Sequence, residues 1–569
     1  MASLSRRILT RCKHLKFARF SSTSANIITS DFKDVEIPKK TIHQFFYDEI
    51  TNYTNFTAVE CAVTGRKYTY GQIRQKCRNL SKNVRKKLKL KQNDVVAILL
   101  PNIPEYPIAV LGLMESGILV TSLNPIYTSE EIARQMKDAN VKAVITTIES
   151  VQIVKAANAL NKINLPVIAV QTQSGQTCPP ETIKFDEMVD VEVDMPDIVI
   201  DNVHDTAFLP YSSGTTGLPK GVDLSHYNIV GNIKQTTSKE MKFLTHATES
   251  YQDCMPAVLP FFHIYGFTIT LLQGLVHGAK LVTLPKFTPE LYTDVLKKNK
   301  ITLIIAAPPL VLFLSAHPLV KKEYMANLKA VMSGAAPLGA SDEERFLEKV
   351  GGNVEISQGY GLTETSPVVS MISQQLKDKF NCTGSIGGPI PNTQMKLVAI
   401  DDATGTPLGP NQQGELFVKG PQVMKGYFNK PKETEEVFQD GWFKTGDLMY
   451  YNEDNLFFVT DRLKELIKVK GFQVAPAELE EILRSVPNVS DAAVIGIPHP
   501  LSGEVPRAYI VPKPNAKLNE EEIKATVAER VAPYKQLKGG IEIVAAIPKN
   551  ATGKILRRQL KLEYLEKNA

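Results

Sequence analysis

Ser212-Ser213-Gly214-Thr215-Thr216-Gly217-Leu218-Pro219-Lys220-Gly221 directly follows the apolar run Ala207-Phe208-Leu209-Pro210. The order predicts a strand feeding a loop rich in hydroxyls and glycine. Glycines let a backbone approach a polyphosphate closely, hydroxyls and exposed N–H groups donate to its oxygens, and a lysine adds a mobile positive charge. The stretch is not the phosphate loop of kinases and motor ATPases. Five residues on from Gly214 stands Pro219, where that loop requires the glycine before its lysine.

Outward from this loop, between about residues 40 and 460, short apolar runs alternate with amphipathic stretches. Val95 to Leu100, Ala143 to Ile145, Ala279 to Leu284 and Leu303 to Ala306 predict strands, and Ser129 to Ala139 predicts a helix. Strand and helix in alternation imply α/β layers. Past Phe457-Phe458-Val459-Thr460 the charged run Asp461-Arg462-Leu463-Lys464-Glu465 has too few apolar residues for a buried element and reads as an interdomain hinge. Beyond it, Pro476 suits a first helical turn, Leu479, Ile482 and Leu483 give an apolar face, and Pro487 stops the helix. The expected fold class is α/β, with a large N-terminal domain of layered subdomains (31–460) and a small mobile α+β C-terminal domain (461–569, hinge 461–465).

At 569 residues and 43% hydrophobic, the chain is too long for one core and apolar enough to fold as several lobes. Arg6, Arg7, Arg11, Lys13, Lys16 and Arg19 all precede the first acid, Asp31, so the surplus of 66 basic over 60 acidic residues belongs to the first segment. The body therefore offers no net basic field for nucleic acid, and no nucleic-acid partner is expected. The six cysteines are scattered without metal-ligand or Cys-x-x-Cys spacing. Residues 1–30 are basic and hydroxyl-rich, with Leu4, Ile8 and Leu15 at helical spacing. That pattern predicts a mitochondrial targeting presequence cleaved near Phe20 and a matrix location. The ending Glu566-Lys567-Asn568-Ala569 is no peroxisomal tail. Ile301 to Ala316, the most apolar stretch, is interrupted by Pro308 and Pro309 and is shorter than the roughly 20 residues a bilayer requires, so no transmembrane segment is expected.

Further motifs occur in a fixed order. They are Phe262-His263-Ile264-Tyr265-Gly266, Ser333-Gly334-Ala335-Ala336-Pro337-Leu338, Gln358-Gly359-Tyr360-Gly361-Leu362-Thr363-Glu364, Gly441 to Asp447, Asp461 to Gly471, and Pro548 to Lys554. With the Ser212 to Gly221 loop, they closely resemble the adenylate-forming superfamily of acyl-CoA synthetases, 4-coumarate–CoA ligases and firefly luciferases, over roughly residues 40 to 560. The motif text is nearest to 4-coumarate–CoA ligases. The resemblance implies an acyl-CoA synthetase. Such an enzyme joins a carboxylic acid to the α-phosphate of ATP with release of pyrophosphate, then passes the acyl group to coenzyme A.

The resemblance assigns roles to positions. Ser212, Ser213, Gly214, Thr215, Thr216 and Lys220 would hold the β- and γ-phosphates, and Glu364 would fix Mg²⁺, with Thr363 beside it. Gln358, Gly359 and Tyr360 would flank the adenine, Asp447 would clamp the ribose, and Arg462 and Lys464 would lie by the nucleotide at the hinge. Lys554 looks like the adenylation lysine, bridging the acyl carboxylate and the α-phosphate, where a fixed ammonium stabilises charge developing in the transition state. His263 would orient the carboxylate and later the thiol route. Tyr265, Ala336, Gly361 and Val368 would line the acyl pocket. Thioester formation needs the thiol where Lys554 stands, so the small domain should rotate about the hinge. Catalytic Lys468 and the coenzyme contacts Lys470 and Gly471 would then face the site, with Lys286 as a further contact.

Phe261 to Phe267 contains no acid to pair with a substrate ammonium, which favours an uncharged, apolar acyl group. Aromatic and aliphatic chains have comparable transfer energies, so both remain open; a mitochondrial leader favours a medium- or long-chain fatty acid. Two alternatives stand beside the ligase: a luciferase-type oxygenase acting on the adenylate, and a non-catalytic adenylate-binding protein. The expected partners are a small carboxylic acid, ATP and coenzyme A; the oligomeric state is not legible in the sequence.

Overall fold

The computed structural model describes residues 26–200, 203–212, 219–241, 243–336, 338–351, 354–400, 402–470, 472–550 and 553–568. Most of the expected presequence, its cleavage point near Phe20, the loop residues Ser213, Gly214, Thr215 and Thr216, and Gly471 lie outside the described residues. Residues 26–30, counted with the expected presequence, are described. Ile28–Thr29 is a strand paired with Met395 and Gln394, and Ile28 is buried there, so residues 26–30 belong to the folded body.

Two of the large domain's sheets have parallel central strands that end at one cleft. In the first, Val95–Leu99 runs between parallel Leu119–Ser122 and Val141–Thr147. All five of its residues are buried, as a strand covered on both faces requires. The buried helix Glu105–Glu115 packs beside it, and Tyr70–Leu88 packs on that helix, started by Thr69, whose hydroxyl accepts from Gln72 N at 3.2 Å. In the second, Leu303–Ala306, Ala330–Ser333 and Glu355–Gly361 pair in parallel. Ligands of open α/β sheets bind outside the carboxyl ends of the strands. The Ser333-Gly334-Ala335 and Gly359-Tyr360-Gly361 motifs occupy such ends.

The expected buried reading of 301–316 holds: strand Leu303–Ala306 is followed by helix Pro308–Ala316 with its prolines in the first turn. Among the described residues no helix is long and apolar enough to cross a membrane. A third, antiparallel sheet includes Gly414–Lys419, Trp442–Tyr451 and Phe457–Arg462. Here the hinge expectation is corrected at its start. Asp461 and Arg462 complete the strand, opposite Leu448 and Asp447, and Asp461 is buried. Its charge is met by donation from Arg462 N at 2.6 Å and Ala477 N at 3.0 Å, which is why a charged pair can close a buried strand. The chain leaves the sheet at the turn Leu463 to Glu465.

The small domain has its own core. The hairpin Val489–His499 with Gly503–Pro512 is packed by Pro476–Ser485 and Glu520–Arg530 around Leu479, Leu483, Val494, Ile510 and Val527, with Arg557–Lys567 on the hairpin's other side. Against the large domain it sets a small apolar cluster, Leu448, Leu466 and Ala475.

Candidate active site

A cleft of about 560 Å³ lies between the two domains, lined by Ser212, Lys220, His263, Tyr265, Gly359, Tyr360, Gly361, Thr363, Glu364, Val368, Arg462, Lys464 and Lys554, among others. Residues from all seven motifs therefore share one space.

At its phosphate end, Tyr211–Ser212 and Lys220–Ser225 pair antiparallel, with Ser212 opposite Lys220. Lys220 thus opens a strand and not a helix, in keeping with the departure from the kinase-type loop. On the other side of Lys220–Ser225, Gly426–Tyr427 adds a further strand. This places the Tyr427 ring 4.9 Å from Lys220 Nζ while its hydroxyl donates to Glu364 Oε1 at 3.1 Å. Tyr427 so spaces a cation from a carboxylate across the cleft wall, a role that no motif announced.

At the nucleotide end, Asp447 is buried beneath Tyr360 and Arg462. Tyr360 Oη donates to Asp447 Oδ2 at 2.5 Å, and Arg462 Nε pairs with Oδ1 at 3.0 Å. Burial and the adjacent carboxylate raise the Tyr360 phenol well above its usual range, so it stays protonated and donates. The Gln358 amide is engaged by Leu338, accepting from Leu338 N at 3.0 Å and donating to Leu338 O at 3.1 Å, and its side chain so ties two motifs together.

The acyl end is built on Phe262 to Gly266. Gly266 begins a wide helical turn, Gly266–Leu272, and a Cβ there would lie 2.2 Å from Pro260 O, so only glycine allows the close approach. His263 Nδ1 accepts from Tyr265 N at 3.3 Å, which leaves the ring proton on Nε2, and burial lowers its pKa to about 4. His263 is therefore a neutral donor at pH 7. The Tyr265 hydroxyl donates to Ala306 O at 3.3 Å and Met332 O at 3.2 Å, so the ring is a fixed wall. Gly334 and Ala335, the neighbours of Ala336, line the cleft.

From the small domain, Lys554 reaches the cleft on a loop whose Gly553, at φ +82°, abuts the large domain; a Cβ there would stand 2.7 Å from Pro309 Cγ. Burial and the neighbouring Arg462 lower Lys554 to about 8, opposed by Glu465 and Asp447. Lys286, Lys468 and Lys470 are exposed and do not line the cleft in this posture. Among the described residues no group of three His, Cys, Asp or Glu is arranged to hold a metal. A single carboxylate plus substrate phosphates is nevertheless how Mg²⁺ is commonly held, and Glu364 at the phosphate end fits that arrangement.

The sequence matches the AMP-binding enzyme family over residues 46–428 and the AMP-binding enzyme C-terminal domain over residues 478–554. Probable 4-coumarate–CoA ligase 1 of Dictyostelium discoideum is 37% identical over 545 residues, covering 94% of this chain and 97% of the relative. 4-Coumarate:CoA ligase 1 of Petunia hybrida is 38% identical over 542 residues, covering 94% and 96%. Among solved structures, ATP-bound MatB from Rhodopseudomonas palustris superposes with a TM-score of 0.81 at 26% identity, covering 93% of this chain and all of that one.

Proposed function

The chain belongs to the AMP-binding enzyme family and is an AMP-forming acid–thiol ligase, and we propose that its acid carries an uncharged, apolar acyl group. 4-Coumarate, named for the relatives above, is the first acid to try and aliphatic acids are the second. The observation that carries this reading is the convergence of Ser212 and Lys220 from the large domain with Lys554 from the small one, beside an acyl end that contributes no charged side chain. His263 is neutral there, and Ile264, Tyr265, Met332 and Val368 supply apolar wall.

In the first half-reaction a carboxylate oxygen bonds to the α-phosphorus of ATP, and the bond to the bridging oxygen breaks, so pyrophosphate leaves with its electron pair. Two anions must meet, and the site supplies cations for them. Lys220 faces the leaving phosphates, Lys554 stands between the domains for the developing charge at the α-phosphate, and His263 Nε2–H orients the acid without adding charge. Asp447, held by Tyr360 and Arg462, is preset to receive the ribose hydroxyls. Mg²⁺, when bound by Glu364 and the phosphates, would neutralise charge on the triphosphate.

In the second half-reaction the coenzyme A sulfur bonds to the acyl carbon and AMP departs. The thiol requires the space that Lys554 occupies, so we propose that the small domain rotates at the Leu463 to Glu465 turn, bringing Lys468, Lys470 and Gly471 inward. Residues 1–30, with six basic side chains before the first acid, support a proposal of delivery to the mitochondrial matrix, testable by fusing them to a fluorescent protein. Incubation with ATP, Mg²⁺, coenzyme A and a panel of aromatic and aliphatic acids tests the activity. AMP, pyrophosphate and thioester are expected in equal amounts, and ADP as the product would overturn the mechanism.

A further inference from the structure

Among the described residues of its own loop, Lys554 is bonded to Asn550 through its backbone. Asn550 N donates to Lys554 O at 2.9 Å, and Lys554 N donates to Asn550 Oδ1 at 2.9 Å. These bonds fix the loop backbone and leave the ammonium unplaced. Around it, Arg462 and Arg557 repel, while Glu465 and Asp447 attract. Asp447 has both oxygens engaged, one by Tyr360 and one by Arg462. Lys554 Nζ pairs with Glu465 Oε1 at 3.9 Å.

Glu465 is itself fixed from two directions. Its N–H donates to Arg462 O at 2.9 Å, so its backbone is tied to the end of the large-domain strand. Its other carboxylate oxygen, Oε2, pairs with Arg557 Nη1. Arg557 cannot follow the glutamate elsewhere, because Glu480 grips it with contacts of 2.9 and 2.7 Å at Nη2 and 3.2 Å at Nε. Bidentate pairing of this kind fixes geometry as well as charge.

We propose that Glu465 is a positioning residue for acyl-adenylate formation, its two carboxylate oxygens spanning Lys554 and Arg557 so that the lysine is held, charged, over the cleft. This rests on the ligase reading above. Without that carboxylate, Arg462, Lys554 and Arg557 converge as three cations before ATP arrives. Asp447, Glu480 and the buried Asp461 are the remaining anions on the surrounding elements, and Lys464 adds a further positive charge at the turn. The ammonium then loses its proton more readily and its preferred direction with it. In the second half-reaction Lys554 has no task, so the contact matters to one step only.

The test uses the full chain and compares wild type, Glu465→Gln, Lys554→Ala and the double variant. Adenylation is followed by ATP–pyrophosphate exchange from pH 6 to 9.5 with 4-coumarate, or with whichever panel acid the wild type turns over. Thioester formation is followed from the corresponding acyl-adenylate supplied directly. Glu465→Gln is expected to lose about tenfold in adenylation kcat/KM at pH 7, with its alkaline limb moved to lower pH. Its thioester step should stay within about twofold of wild type, and it should cost nothing further in the Lys554→Ala background. Glu465→Asp, which keeps the charge, retains the wild-type limb and provides the reading if the glutamine variant does not fold. An unmoved limb, equal loss in both steps, or a further loss in the double variant overturns the proposal. A wild type that exchanges no pyrophosphate with any acid overturns the ligase reading itself, and this inference with it.

Discussion

Lys554 has a pKa of about 8 against an ordinary 10.5, because burial and Arg462 outweigh Glu465 and Asp447. If, as proposed, the adenylation step needs its ammonium, the active fraction of free enzyme is about 90% at pH 7, half at pH 8 and about 9% at pH 9. Adenylation kcat/KM should therefore fall about tenfold between pH 7 and pH 9, the sign following from loss of a required proton. Replacing Lys554 with alanine removes a preorganised cation from the developing charge. Such groups are worth about 2.7–4 kcal/mol, or 10² to 10³ in rate at pH 7. The same variant should lose the alkaline limb altogether, since the group that titrates is gone, and should still convert supplied acyl-adenylate into thioester. Pyrophosphate exchange and thioester formation, measured separately across pH, check both halves. A limb near pH 8 that survives in Lys554→Ala, or equal loss in both half-reactions, would refute the division of labour between the two postures.

Tyr360→Phe removes the hydroxyl that donates to Asp447 Oδ2. A raised KM for ATP, by roughly fivefold for about 1 kcal/mol of lost preorganisation, with kcat little changed, is the expected kinetic pattern. Glu364→Gln leaves the Tyr427 contact possible but removes a charge from the phosphate end; the Mg²⁺ concentration needed for half-maximal adenylation should rise, and an unchanged requirement would remove Glu364 from that role. His43 and His226 are buried, with pKa values lowered to about 4 and about 3 from 6.5. Each favours the folded state fully above pH 6.5 and loses that contribution as pH falls toward its folded value. Urea midpoints should drop between pH 7 and pH 5 by the equivalent of about 2 kcal/mol per histidine, and His226→Gln should shrink the drop.

The motif-bearing loops were legible because each sits at the end of a short apolar run, and the runs at Val95, Ala143, Leu303 and Ala279 all became strands. What local pattern could not show was pairing across long separations. The resemblance places Gln358 beside the base, and it says nothing of the amide's partner Leu338, twenty residues away. Tyr427 lies outside every motif and acquires its place only when Gly426–Tyr427 pairs with Lys220–Ser225. Asp461 and Arg462 read as solvent-facing hinge since charge density argues against burial. Two backbone N–H donors and the Asp447 carboxylate, none of them local in sequence except Arg462 N, reverse that inference. The Glu465, Arg557 and Glu480 cluster likewise joins three segments that carry nothing but an ordinary surface charge pattern when read singly.

The seam between the domains includes a glycine against a proline, the apolar cluster Leu448, Leu466 and Ala475 with Ile400 and Leu463 packed against it, and the Ala477 N–H donated to Asp461. If the small domain rotates as proposed, these contacts are broken and remade in every turnover. On that proposal the cargo selects the posture: a bound triphosphate draws the lysine-bearing lobe in, and its departure as pyrophosphate removes the attraction that kept it there. The timing of the reaction would then be written in the charge of its own substrate.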